Sequence, residues 1–153
     1  MKQYDILFSD FDGTLIETIS GELFPKGIWD MKLRFDVLDA IKKLHPQYVF
    51  IVTNQGGIDE GCVNQIHFNH KLDYICSSIK EYCNCHCDAV YCATNDKLHN
   101  TQHLNDNYSI LMVGDASGKG VLFSHIDKKT AENYGIDYMD VDDFVNTYLE
   151  DEQ

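Results

Sequence analysis

The chain has 153 residues, 44% of them hydrophobic and 12% aromatic, which suits one globular domain, 1–153, able to bury a core without staples. Its 25 acidic residues against 12 basic ones leave a formal charge of −13, and Arg34 is its lone arginine. That balance excludes a broad nucleic-acid footprint, which needs a basic face, but leaves room for contact with a few phosphates at one strand end.

In chain order, the opening MKQYDILFSDFDG is broken by acids too soon for a signal segment. No later stretch reaches the roughly 18 apolar residues of a membrane span, so a soluble, cytoplasmic protein without membrane contact is expected. Apolar runs at Ile6–Phe8, Tyr48–Val52, Ala89–Cys92 and Ile110–Val113 predict buried strands, with a weaker fifth near Tyr138–Val141. Between them lie helical periods: Leu38, Ile41 and Leu44, then Phe68, Leu72, Ile75, Ile79 and Tyr82, and last Phe144, Tyr148 and Leu149. Alternating strands and helices predict an α/β fold, a Rossmann-like three-layer sandwich with a central parallel sheet.

Such sheets bind ligands beyond the carboxyl ends of their strands, at the switch in strand order. Strand one ends in Asp10, Phe11, Asp12, Gly13 and Thr14; strand two in Thr53, Asn54, Gln55, Gly56 and Gly57; strand four in Gly114, Asp115, Ala116, Ser117, Gly118 and Lys119. Asp, Asn and Gly are ordinary turn residues at any one of these places. Three polar, glycine-bearing turns at one sheet edge are not ordinary.

With DFDGTL, FIVTNQ and LMVGD at those ends, the chain resembles the haloacid dehalogenase superfamily of phosphohydrolases. Within it, SGELFPKG (20–27), VTNQGGIDEG (52–61), VGDASGK (113–119) and FSHIDKKTAENYGIDYMDVDDF (123–144) resemble the phosphatase domain of polynucleotide kinase 3'-phosphatases. The second of these patches also resembles heptose bisphosphate and histidinol phosphate phosphatases, so the other three tip the choice.

The resemblance implies a Mg²⁺-dependent phosphatase working through an aspartyl-phosphate. A phosphate dianion repels carboxylates, so an Asp nucleophile needs a cation that neutralises the cluster. Asp10 is then nucleophile and metal ligand, and Asp115 is a second hard oxygen ligand. Asp12 protonates the leaving group and later deprotonates water; it and Asp127, which matches a fourth-motif acid, complete the implied metal set. Thr53, Asn54 and the backbone at Gly13 bind the phosphoryl group, with Lys119 and Lys128 as cations on the fourth-motif side.

The third motif departs from the family pattern: ATNDKLHNT (93–101) follows strand three without the usual lysine-proline, and Lys97 is the nearest lysine for that role. Residues 15–47 leave room for a flap and one helix, so no large cap is expected and the site stays open. An open site suits a phosphate on a large, self-shielding substrate such as a nucleic-acid 3' end, with a place in DNA repair. The alternatives are a small-molecule phosphatase and a catalytically weakened binding module. No GxxxxGK[ST] loop is present, so any kinase partner acts in trans. CNCHC (83–87) invites a zinc reading, but so many ligands in so few residues cannot all converge on one ion. Reduced, partly buried thiols at a helix-to-strand junction are the plainer expectation.

Overall fold

The computed structural model describes residues 2–11, 14–21, 30–54, 65–92, 108–114, 131 and 135–149, with the backbone alone at 53–54, 65–68 and 89–92. The central sheet is β1 (Ile6–Ser9), β4 (Tyr48–Asn54), β5 (His86–Cys92), β6 (Ile110–Gly114) and β7 (Asp137–Asp140), all parallel, in the order β5-β4-β1-β6-β7. A two-stranded antiparallel hairpin, β2 (Ile16–Glu17) with β3 (Lys32–Leu33), stands where the flap is expected. The described helices are α1 (Phe35–Leu44), α2 (Gln65–Cys83) and α3 (Val141–Leu149).

β1 and β6 are buried at every position, because they lie inside the sheet with both faces covered. Leu7, Val49, Ile51, Leu111 and Val113 point to the face packed by α1, α2 and α3. Ile6, Phe8, Val52, Ile110 and Met112 point to the other, where Ala131 joins them.

The outer strands differ from the apolar-run reading. β5 begins at His86, three residues before the predicted Ala89, because an edge strand buries one side only: His86 and Asp88 are exposed while Cys87 between them is buried. β7 starts one residue earlier than predicted, and Val141 opens α3. Acidic Asp142 and Asp143 in that first turn suit the positive end of the helix dipole.

α1 begins without a side-chain cap at Arg34 and ends at His45, which takes a left-handed φ of 54° and donates its N–H to the Ile41 carbonyl. Arg34 bonds Asp36 at 2.9 Å and lies 3.5 Å from Asp142, tying the start of α1 to the start of α3. The lone arginine is thus engaged within the fold.

The thiols of Cys76, Cys83, Cys85 and Cys87 are unpaired by disulfides and gather where α2 turns into β5, at the helix-to-strand junction that the sequence marks. Burial pushes Cys83 from 9.0 up to about 12, and Cys85 from 9.0 up to about 11. Burial also raises the Tyr148 phenol. The folded state holds these groups neutral, so their contribution is complete below the unfolded value and is lost as pH rises toward the folded one. From about pH 8 to about pH 10.5, Cys83 alone should withdraw about 2 kcal/mol. Urea titrations under reducing conditions at the two pH values check this; an unchanged midpoint would contradict the burial.

Candidate active site

The chain runs out from β1 in the centre to β4 and β5 on one side, then returns to β6 and β7 on the other. The order therefore reverses at β1, and the crevice of such a sheet opens at that strand's carboxyl end. Asp10 is the first residue beyond it and is 8% exposed. Its N–H donates to the Val113 carbonyl at 2.9 Å, holding it beside the end of β6.

Ser9 lies level with Ile51 of β4 and Val113 of β6, so Gly114 ends β6 beside Asp10 and β4 runs on to Thr53 and Asn54. The backbone thus carries Asp10, Thr53 and Asn54 to one edge of the sheet. Asp12, Gly13, Lys97, Asp115, Lys119, Asp127 and Lys128 lie outside the described residues.

Phe11 anchors the turn after Asp10. Its carbonyl accepts from the N–H groups of Thr14, Leu15 and Ile16 at 3.0–3.3 Å, and its fully buried ring lies 5.0 Å from the Lys71 ammonium of α2. Thr14 follows with a fully buried hydroxyl that has no hydrogen-bond partner among the described residues. The sequence carries Thr14 in its first motif without marking the hydroxyl, and nothing in the spacing points to Lys71.

The hairpin beside the site is pinned by Asp30. This fully buried carboxylate accepts the Ser20 N–H at 2.7 Å and the Ser20 hydroxyl at 2.6 Å, just before Gly21 turns the chain at φ 81°. Ser20→Ala removes one hydrogen bond to a buried charge and should cost about 1.5–3 kcal/mol by urea unfolding, with Ser20→Thr recovering part of it. A loss below about 0.5 kcal/mol would show that the hydroxyl does not hold the hairpin.

A cavity of about 350 Å³ lined by His45, Gln47, Lys80 and His86 lies at the opposite end, where β4 and β5 begin, and has no bearing on the Asp10 edge. Among the described residues no group of three or more His, Cys, Asp or Glu could hold a metal ion. No helix among them is long and apolar enough to cross a membrane.

The family model described as polynucleotide kinase 3 phosphatase matches residues 5–145. The chain belongs to that family. As a member of the polynucleotide kinase 3 phosphatase family it is a phosphatase of the haloacid dehalogenase type. Among solved structures it is similar to a D,D-heptose 1,7-bisphosphate phosphatase from Burkholderia thailandensis, with 19% identity, 99% of each chain covered and a TM-score of 0.52. That likeness concerns the fold. No curated protein matches the chain.

Members of the family are typically metal-dependent. The donor chemistry present fits a hard cation: the Asp10 carboxylate stands at the switch point of the sheet.

Proposed function

We propose that the protein removes 3'-phosphates from polynucleotide ends through an aspartyl-phosphate on Asp10. The observation that carries this reading is Asp10 at the strand switch of a chain that matches the polynucleotide kinase 3 phosphatase family over residues 5–145. A carboxylate at that place attacks the phosphorus in line, and a P–O bond to Asp10 forms as the bond to the leaving oxygen breaks. Asp12 gives that oxygen a proton, then takes one from the water that hydrolyses the aspartyl-phosphate. Thr53, Asn54 and the backbone at Gly13 hold the transferred phosphoryl oxygens, with Lys97 as the third-motif cation. Mg²⁺, held by Asp10, Asp12, Asp115 and Asp127, supplies charge neutralisation when bound.

One feature supports a polynucleotide end as substrate. Between β1 and β4 the described residues hold only the β2–β3 hairpin and α1, which suits an open site. The net charge of −13 then restricts contact to the terminal phosphate and a few neighbours, met by Lys119, Lys128 and Lys129 with Lys26 on the flap. Binding should show a shallow salt slope, roughly one to three, at about 0.7 per neutralised phosphate on single strands.

The test is a Mg²⁺-supplemented panel of 3'-phosphorylated DNA, 3'-phosphorylated RNA, 5'-phosphorylated DNA, heptose bisphosphate and histidinol phosphate. Preference for a 3'-phosphorylated oligonucleotide by more than about tenfold in kcat/KM is expected, with a 3'-phosphorylated dinucleotide nearly as good as a long strand. Oligonucleotides left intact while a small phosphate is cleaved would replace the polynucleotide reading with the small-molecule one. The acidic surface and the engagement of Arg34 by Asp36 and Asp142 favour that second reading.

A further inference from the structure

We propose that the cavity where β4 and β5 begin binds a small phosphate ester, at a site separate from the Asp10 edge. The cavity measures about 350 Å³, within the range that admits a small molecule, and the ends of four elements wall it. His45 follows α1 and Asn84 follows α2, while Gln47 and Cys85 immediately precede β4 and β5. Lys80 of α2 and His86, the first residue of β5, join them.

Charge selects the ligand. The chain carries 25 acidic residues against 12 basic ones, yet none of the described acids lines this cavity, whereas Lys80, His45 and His86 do. Asp5, whose carbonyl accepts the Gln47 N–H at 2.9 Å, has its carboxylate turned away to the N–H and hydroxyl of Ser109, at 3.0 and 3.1 Å. Lys80 forms no ion pair with the described residues. One ammonium, two imidazoles and the carboxamides of Gln47 and Asn84 are donors suited to phosphate oxygens. The volume is more than ten times the roughly 30 Å³ that one water occupies, so it has room for the group that carries the phosphate. The carboxamide oxygens of Gln47 and Asn84 are acceptors for hydroxyls on that group.

The walls are set by the fold itself. His45 and Asn84 both take a left-handed backbone, φ 54° and 55°, and donate their N–H groups to the carbonyls of Ile41 and Lys80 at 2.8 and 3.1 Å. Two helix ends meet here, and their partial negative charge would repel an anion. The two capping bonds satisfy carbonyls at those ends, and Lys42 and Lys43 in the last turn of α1 and Lys80 in that of α2 offset the remaining charge. On the strand side, the His86 ring stacks on Tyr48 with centroids 5.2 Å apart and planes 25° from parallel. Donors held in this way lose little freedom when a ligand arrives.

The test titrates the full chain with inorganic phosphate, ribose 5-phosphate and adenosine monophosphate in Mg²⁺-free buffer at constant ionic strength, following the imidazole C–H resonances of His45 and His86 by NMR. His45→Asn, which tolerates the left-handed backbone, and His86→Gln assign the two resonances. Phosphorus spectra confirm that the esters stay intact. Both resonances should move together and saturate with an ester at a Kd of about 0.1–1 mM, at least about threefold tighter than inorganic phosphate. Lys80→Glu should weaken that binding more than about tenfold, through loss of a charge-assisted bond, and leave the KM for an aryl phosphate unchanged. Circular dichroism confirms that each variant is folded. Shifts that do not saturate by about 10 mM, or that persist in Lys80→Glu, would overturn the site. Equal affinity for inorganic phosphate would overturn the ester as its ligand.

Discussion

Asp10→Asn is expected to bring hydrolysis below about 1% of the wild-type rate, because an amide is a poor nucleophile and a poor ligand for a hard cation. Loss of a covalent nucleophile typically costs far more than 10²-fold, whereas a positioning residue costs less. Asn keeps the size of Asp and leaves the backbone bond from residue 10 to Val113 intact, so the fold should be retained. A generic aryl phosphate assayed with saturating Mg²⁺ measures the loss, and circular dichroism confirms folding. Retained turnover above about 1% would remove Asp10 from the nucleophile role. Loss of turnover on every substrate, with the wild type cleaving only small phosphates, would keep the chemistry and discard the polynucleotide end.

The central sheet was legible because β1, β4 and β6 carry continuous apolar runs, as strands covered on both faces must. Asp10 was legible for a related reason: a carboxylate straight after such a run has to stand at the sheet's carboxyl edge. The edges were harder to read. β5 starts with exposed His86, buried Cys87 and exposed Asp88, so its first turns resemble a polar loop unless period-two alternation is sought from the outset. The Asp30–Ser20 clamp was not legible at all, since ten residues separate the partners and no local pattern requires them to meet. The thiol cluster lay between these cases. Its place at the α2–β5 junction followed from the sequence, but how deeply each thiol is buried depends on how α2 packs against β5.

The largest loss of stability is expected at Tyr148, far from the chemistry. Its side chain is 1% exposed, its ring lies 5.2 Å from that of Phe144, and its hydroxyl donates to the Lys2 carbonyl at 2.7 Å. Two contributions can therefore be separated. Tyr148→Phe removes only the hydrogen bond. The Lys2 side chain is 67% exposed, so water has access near the freed carbonyl and the cost should be about 0.5–1.5 kcal/mol. Tyr148→Ala also removes the ring and leaves a cavity between α3 and the sheet, for about 3–5 kcal/mol. Against a total of about 5–15 kcal/mol, that second figure is a large share of the whole. Urea midpoints at constant slope measure both changes. Lys2 precedes β1, at the end of the sheet opposite Asp10, so the folded fraction of either variant should keep the wild-type KM. Equal losses in the two variants would mean that the hydrogen bond holds α3 in place; the burial of the ring predicts instead that packing accounts for most of it.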